Sequence, residues 1–363
     1  MNSLGFDKSE KDTKVVVAMS GGVDSSVAAV MLKKEGYDVI GITLKLFNNS
    51  ANKKNKSCCS GADIADAKKV AFENEIPHIT LDYQNKFFDG VINDFIETYS
   101  NGETPIPCVK CNETVKFKDL LSEAKKIGAD ALVTGHYARR KGTASNASLY
   151  KAKDLSKDQS FFLFATLQEQ LNYVRFPLGD YKKTEIRKIA EQYDLDVSNK
   201  PDSQDICFVT SDSYRSLLKN IDPNINKEGP IYSIEGKILG KHKGISNYTV
   251  GQRKGIGISG SKEALYVVKL NKKENSITLG TKENLKKNVI SFKNINWLGG
   301  DIISSNLECS AKIRSTQEDL PGILDIKNNM GTFTFFEDLD GTSPGQACVF
   351  YKNDQLLGGG WIT

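Results

Sequence analysis

An apolar run that breaks on two glycines and resumes as a helix constrains this chain more than any other feature. Residues 14–19 read Lys-Val-Val-Val-Ala-Met, residues 20–26 read Ser-Gly-Gly-Val-Asp-Ser-Ser, and Ser26 to Gly36 has helical spacing with a glycine at its end. A short apolar run reads as a buried strand, and the glycine as a helix stop. The two glycines let the backbone turn tightly and point N–H groups inward. Ser25 and Ser26 supply caps and hydroxyls, and the helix N-terminus adds positive potential. Such a turn holds a phosphate. It lacks the lysine of Gly-x-x-x-x-Gly-Lys-[Ser/Thr], so it need not transfer a γ-phosphate. It can hold a leaving pyrophosphate while the α-phosphate is attacked, with Asp24 holding Mg²⁺ or orienting the loop. Ser-Gly-Gly alone would fit an ordinary helix-capping turn; the whole string between strand and helix does not.

The same alternation runs through the first half. Strands are expected at 38–47, 78–82 and 131–135, and helices at 62–75, near 86–100, at 113–127 and at 182–193. Strands separated by helices predict an α/β fold with a doubly wound, mostly parallel sheet. After about residue 210 the chain turns to short β-rich runs punctuated by Gly, Asn and Asp. We expect three domains: an ATP-binding catalytic domain over 1–210, a small central β-rich domain over 211–284, and a C-terminal β-barrel over 285–363. Gly255-Ile-Gly257-Ile-Ser-Gly260 matches a dinucleotide fingerprint, but a strand-like run follows it rather than a helix, so a β-turn is expected.

With 363 residues the chain needs no disulfide staples. No stretch of 18 apolar residues occurs, and the N-terminus is polar, so neither a membrane span nor a secretory signal is expected. Seven cysteines, an odd number, in a chain without an export signal suggest a reducing cytoplasm. Cys58 and Cys59 read as structural or incidental, and Cys309 and Cys348 as core thiols. Cys108 and Cys111 form a Cys-x-x-Cys after Pro105-Ile-Pro107, where the prolines predict a loop. From the residues alone this is a redox pair, half a zinc site, part of an iron–sulfur site, or a catalytic thiol with a neighbour. Cys207 sits in Lys200-Pro-Asp-Ser-Gln-Asp-Ile-Cys-Phe-Val209.

Ser20-Gly-Gly-Val-Asp-Ser25 resembles the pyrophosphate (PP) loop of N-type ATP pyrophosphatases, a superfamily with a Rossmann-like sheet. Seven further motifs fall in one order: Cys111-Asn-Glu-Thr-Val-Lys-Phe117, Gly135-His-Tyr-Ala-Arg139, Lys157-Asp-Gln-Ser-Phe-Phe162, Phe176-Pro-Leu-Gly179, Asp202-Ser-Gln-Asp-Ile-Cys-Phe208, Thr249-Val-Gly-Gln-Arg-Lys-Gly255 and Pro344-Gly-Gln346. Together they resemble the tRNA-specific 2-thiouridylases from about residue 14 to the C-terminal Gly-Gly-Gly-Trp.

That resemblance implies ATP-dependent 2-thiolation of the wobble uridine, position 34, of tRNA. Ala18, Met19, Ser20, Gly21, Gly22, Val23, Asp24 and Ser25 would hold ATP, with Leu44 and Gly135 near the adenosine. Cys207 would carry a persulfide from a donor, a cysteine desulfurase or a sulfur relay protein. Cys111 would be the partner nucleophile, able to form a transient disulfide with Cys207. His136, Lys157, Asp158, Gln159, Arg314, Ser315 and Gln346 would contact tRNA, and Ile106, Pro107 and Cys108 would form the target-base loop. The family often has Asn where Ile106 stands and Asp where Cys108 stands. With cysteine at that position, an alternative has Cys108, Cys111 and Cys207 ligating a [4Fe–4S] cluster.

Net charge is only +4, so local charge must carry any case for RNA. From Lys237 to Lys262 there are six Lys/Arg and no Asp or Glu, namely Lys237, Lys241, Lys243, Arg253, Lys254 and Lys262, with His242 and Tyr248 interleaved. We read this as a phosphate-binding stretch, extended by Arg139, Arg140 and Lys141 and by Lys182 and Lys183. Two other readings compete. An adenylating ligase for a small molecule shares the loop but not the thiols. A metal- or redox-binding RNA module leaves Ser20–Ser25 without purpose.

Overall fold

The computed structural model describes residues 1–47, 61–202, 206–209, 227–258, 263–300 and 306–363. Cys58, Cys59, Ser203–Asp205 and Lys262 lie outside the described residues. The chain divides into two units: Met1–Val91 with Cys108–Thr210 and Asp354–Leu356, and Ile92–Pro107 with Ser211–Asn353 and Leu357–Thr363.

In the first unit the strands are β1 (Lys14–Ala18), β2 (Asp38–Lys45), β3 (His78–Asp82), β4 (Ala131–Thr134), β5 (Arg139–Gly142), β6 (Ala147–Tyr150) and β7 (Val174–Arg175). Five of them form a wholly parallel sheet in the order β3-β2-β1-β4-β7. Val15, Val16 and Val17 are fully buried at its centre, as the unbroken apolar run requires. The chain leaves β1 toward β2 and β3, then crosses back to lay β4 on the other side of β1. The crevice at such a switch point, outside the carboxyl ends of the strands, is where open α/β sheets bind ligands. The loop after β1 and Gly135 after β4 both open there.

Helix α1 (Val23–Glu35) starts three residues earlier than expected and stops at Gly36, whose φ of 97° is the left-handed stop anticipated from the glycine. It is buried on nearly every side because α2 (Gly61–Glu73) and the helix Lys183–Gln192 pack against it. Val27, Val30, Val70 and Ile186 share that core. The hairpin β5–β6 was not legible in the charged run Arg139-Arg-Lys141. Its inner face is carried by Ala147 and Leu149, and β6 pairs with Gln355 and Leu356.

The second unit holds two β structures. β8 (Gly229–Ser233), β9 (Ile238–His242), β10 (Tyr266–Asn271) and β11 (Ser276–Gly280) form a sheet in the order β10-β11-β8-β9 over a small core of Ile231, Tyr248, Val267 and Ile277. Gly255 and Gly257 adopt φ of 73° and 83°, and no helix follows through Ile258, so the described part of the glycine fingerprint, up to Ile258, is a turn. The other six strands are β12 (Lys286–Trp297), β13 (Leu307–Lys312), β14 (Leu320–Lys327), β15 (Met330–Asp340), β16 (Ala347–Lys352) and β17 (Gln355–Ile362). They run β12-β15-β14-β13-β16-β17, and β12 pairs with β17 to close a barrel. Closure removes exposed edges. Phe292, Phe333, Phe335 and Phe350 fill its interior. Asn328 and Asn329, at φ of 48° and 61°, make the two-residue turn between β14 and β15.

Candidate active site

The loop after β1 is tied to the first turn of α1 by Ser25. Ser25 Oγ accepts from Ser20 N at 3.0 Å, lies 3.2 Å from Ser20 Oγ, and donates to Gly22 O at 3.2 Å. Gly21 has φ of 75°, and a Cβ there would sit 2.1 Å from the Asp63 carbonyl oxygen of α2. Gly135 is as constrained from the other side, since its Cβ would lie 2.9 Å from Ser25 N. Two glycines from two strands thus bring bare backbone around the start of α1, whose first N–H groups have no partners within the helix. Beneath them, buried Ser26 has a hydroxyl with no hydrogen-bond partner. Met19 and Leu44 are buried next to this loop and at the end of β2, respectively. This cradle fits a polyphosphate.

Asp24 is engaged by protein. Lys183 Nζ donates to both of its carboxylate oxygens at 2.7 Å, and Tyr137 OH donates to one of them at 2.7 Å. A Mg²⁺ ligated by Asp24 would compete with that ammonium for the same oxygens, so the residues present do not fit a metal there. Of the two roles expected for Asp24, the arrangement matches loop orientation. Lys183 also lies 3.0 Å from Asp202, which binds Lys157 at 2.8 Å and Arg187 at 2.8 Å. Burial works against the charge on Asp202, but Lys157 and Lys183 outweigh it and hold its pKa down to about 2. Lys200 donates to Gly21 O at 2.9 Å, Asp63 at 2.5 Å and Asp66 at 2.7 Å. Lys183 is therefore no part of a surface basic patch; it is almost wholly buried. Arg140 is likewise spent on the carbonyls of Gly142, Thr143, Leu171 and Asn172.

The cysteine pair corrects one expectation. Cys108 and Cys111 stand on a helix that begins at Pro107, not in a loop. Proline is welcome at a first helical position because its missing N–H would have no partner there. From Cys111 to Leu120 the helix widens to π geometry before returning to α at Leu121. Such segments often mark functional sites. Cys108 is exposed and Cys111 buried. Asn112 fixes the start of the π segment by donating to Phe162 O at 3.0 Å and accepting from Lys116 at 3.0 Å. Cys207 is half-buried, and its neighbour Phe208 packs edge-on against Phe87, with ring centroids 5.7 Å apart. The helix Gln84–Phe87 in turn packs against Cys111–Leu120. The two cysteine segments are therefore braced on one element. No three His, Cys, Asp or Glu side chains among the described residues converge as a metal site, so Cys108, Cys111 and Cys207 do not form a cluster ligand set in this arrangement.

His136 lies against Phe117 and Phe176, each centroid 6.1 Å away, with Thr134 Oγ1 2.8 Å from Nδ1. Burial, and then the Lys116 ammonium, lower its pKa well below the usual histidine value. Burial lowers His78 and His242 as well. His242 is explicit about its tautomer: Nδ1 accepts from Gly244 N at 3.1 Å, which leaves Nε2 to donate to Asn275 O at 2.9 Å. These are all three histidines of the chain. Each has a folded-state pKa below its unfolded value, so the unfolded chain binds more protons as pH falls through about 6.5. Their contribution is present above that pH and is lost on acidification. The urea midpoint is therefore expected to be lower at about pH 5.5 than at about pH 7.5. A midpoint that holds or rises on acidification contradicts this.

The other expected tRNA contacts divide. Asp158 accepts from Ala152 N and Ser160 Oγ, and Gln159 Oε1 accepts from Tyr137 N, so both shape their own loop. Lys157 is bound to Asp202. In the second unit, Thr104, Thr249, Arg314, Ser343, Gln346 and Ile362 line a cavity of about 250 Å³. Gln346 donates to Thr104 O at 3.0 Å, and Arg314 to Gly341 O at 2.7 Å. Ser315 follows Arg314 in the turn beside it. Ile106 is buried just before Pro107. Lys237, Lys241, Lys243, Arg253 and Lys254 are all exposed. His242 and Tyr248, read with them, are instead buried against each other with centroids 5.9 Å apart.

Sequence reasoning missed Tyr137, Lys200, Asp63 and Asp66, and placed Lys183 in a basic surface stretch rather than in this network. The signal of Lys183, Asp63 and Asp66 is faint, because single lysines and aspartates on helices read as solvated. Tyr137 and Lys200 stand inside stretches singled out above, 135–139 and 200–209.

Known proteins bear on this site as follows. Residues 13–211 match the tRNA methyl transferase HUP domain, 217–281 the tRNA methyl transferase PRC-barrel domain, and 287–362 the aminomethyltransferase beta-barrel domain. The tRNA-specific 2-thiouridylase MnmA of Ehrlichia ruminantium is 51% identical over 359 residues, covering 98% of this chain and 96% of that protein. That of Ehrlichia canis is 50% identical, covering 100% of this chain and 98% of its own. That of Rhodospirillum centenum is 46% identical, covering 100% and 95%.

Proposed function

The chain belongs to the tRNA-specific 2-thiouridylase family and is an ATP-using tRNA sulfurtransferase, and from that premise we propose how its residues divide the reaction. Oxide is a poor leaving group, so the uridine O2 is first made into a leaving phosphate. O2 attacks the α-phosphate of ATP, pyrophosphate leaves, and C2 becomes electrophilic. The loop from Ala18 to Ser25 holds the departing pyrophosphate, with Leu44 and Gly135 beside the adenosine. Sulfur then reaches C2 from a persulfide on Cys207, AMP leaves, and Cys111 takes the remaining sulfur of Cys207 as a disulfide that a reductant must open. Sulfur arrives either by direct attack of the terminal persulfide sulfur or as hydrosulfide released when Cys111 attacks Cys207.

The observation that carries this reading is the phosphate cradle of Gly21 and Gly135 in the same unit as two braced cysteine segments. A small-molecule ligase has no use for the thiols. We assign Asp24 to the loop rather than to Mg²⁺, and route no step through a metal ion. A [4Fe–4S] alternative needs Cys108, Cys111 and Cys207 to converge, which the arrangement described above does not support. The substrate base is the wobble uridine, position 34, unstacked to reach the ATP. His136, Lys157, Arg314, Ser315 and Gln346 meet the tRNA, while Asp158 and Gln159 act through the loop they hold. Segments 1–210, 211–284 and 285–363 serve as catalytic, tRNA-contacting and barrel domains. The sulfur donor is a cysteine desulfurase or relay protein. The setting is cytoplasmic; no described helix is long and apolar enough to cross a membrane.

The test is pyrophosphate release from ATP with and without unmodified tRNA. Release is expected only with tRNA. The combined substitution of Lys241, Lys243, Arg253 and Lys254 by alanine should weaken tRNA binding and flatten the slope of log K against log salt by about 4. Release without RNA, on a small acid or amide, would support the ligase reading instead.

A further inference from the structure

We propose that Cys108 is the resolving thiol of the reaction, taking Cys111 over from the Cys111–Cys207 disulfide and carrying the bridge to the surface, where a dithiol reductant can open it. The proposal rests on the reading of the site given above. It gives a task to the half of the Cys-x-x-Cys that sulfur delivery leaves idle.

The placement of three thiols carries it. Cys108, Cys111 and Cys207 all belong to the first unit, and none is bridged in the structure. Cys108 is exposed, Cys207 is half-buried, and Cys111 is buried, only 8% exposed. A Cys111–Cys207 disulfide therefore has one sulfur out of reach of anything as large as a protein. Cys108 and Cys111 are three positions apart, counting 111 − 108, on the helical stretch that begins at Pro107. Residues three apart on a helix are neighbours on one face, with Cβ atoms about 5–6 Å apart. A disulfide needs about 3.5–4.5 Å. The turn must therefore close by only about 1–2 Å. That turn is also where the winding passes from α to π, at Cys111, so its backbone pattern is already irregular.

The exchange balances without an oxidant. Cys108 loses its proton to solvent, and its thiolate attacks Cys111 Sγ. The bond from Cys108 to Cys111 forms, the bond from Cys111 to Cys207 breaks, and Cys207 leaves with the electron pair as a thiolate. An external dithiol then attacks Cys108 Sγ, and Cys111 leaves as a thiolate. The second thiol of the reductant displaces Cys108, so two electrons pass from the dithiol, which ends as a disulfide. The outer bridge need be populated only briefly, because the reductant drains it. Cys207 is a thiol again while Cys111 is still engaged, so a newly loaded persulfide is not discharged by Cys111 at once. An aspartate, frequent at position 108 in the family, cannot do this.

The experiment takes the full-length protein through one turnover on unmodified tRNA with ATP and one equivalent of persulfide donor, without reductant. N-ethylmaleimide is then added, and the bridges are mapped by non-reducing peptide mass spectrometry. In the wild type, alkylated Cys207 is expected beside a Cys108–Cys111 bridge. In Cys108→Ser the Cys111–Cys207 bridge should persist with Cys207 unalkylated, and Cys108→Asp should behave alike. Reduction of the oxidised protein by a thioredoxin should be about tenfold or more slower in either variant than in the wild type. The wild-type map stands by itself if the variants do not accumulate. A wild type in which N-ethylmaleimide never reaches Cys207 and the bridge stays Cys111–Cys207 overturns the proposal, as do equal rates of reduction by thioredoxin. A Cys108→Ser protein that thiolates tRNA yet forms no Cys111–Cys207 bridge overturns the reading of the site itself.

Discussion

Serine in place of either Cys111 or Cys207 is expected to lower 2-thiouridine formation by more than about a thousandfold while tRNA-dependent pyrophosphate release continues. The split follows from the order of events. Activation needs the loop, the base and ATP; only the second stage needs sulfur. A serine hydroxyl can neither carry a persulfide nor attack one. The substitutions are small. At position 111 the side chain is buried at the head of a π segment that Asn112 anchors through Phe162 O, so the backbone has independent support. The two variants should differ in one readout: after incubation with a persulfide donor, Cys111→Ser retains added sulfur on Cys207 by intact mass, and Cys207→Ser does not. Loss of pyrophosphate release in both variants would show that the thiols serve activation, contrary to this account.

Alanine at Gly21 is expected to weaken ATP binding by about 10- to 100-fold. Two costs add. A φ of 75° is disfavoured for any residue with a Cβ, and that Cβ would lie 2.1 Å from the Asp63 carbonyl oxygen. The obstacle is backbone in the first turn of α2, and Lys200 clamps both Gly21 and Asp63, so neither side yields easily. Gly22 is the internal control. Its φ is −91°, and its Cβ would meet nothing nearer than Ser20 Oγ at 3.5 Å. Gly22→Ala should cost far less. Calorimetry with an ATP analogue decides; equal effects at the two positions would mean that the cradle depends on loop flexibility rather than on the fit at Gly21.

Where the sequence carried a periodic or compositional signal, it was readable. Val15 to Val17 announced a central strand, Gly36 a helix end, and Ser20 to Ser25 a tight glycine turn from strand into helix. The late β-rich runs announced a β architecture that the barrel bears out. The errors share a cause. Pro105 and Pro107 were read as a loop because proline breaks helices from within, yet Pro107 opens one. Arg140 and Lys183 were read as surface charge because nothing local marks a cation as buried. Their partners, Leu171 O and Asn172 O for one, Asp24 and Asp202 for the other, are distant in sequence. His242 and Tyr248 looked interleaved with lysines, but both are buried while their neighbours Lys241 and Lys243 are exposed. Long-range electrostatics and strand facing are tertiary facts, and the candidate site is built largely from them.

The most direct test is to digest tRNA after incubation with the protein, ATP, Mg²⁺ and a persulfide donor, and to measure 2-thiouridine by nucleoside mass spectrometry. The account predicts 2-thiouridine at the wobble position, dependent on ATP and absent with either cysteine variant. AMP formation on a small molecule, with no thiolated uridine in any tRNA, would contradict it.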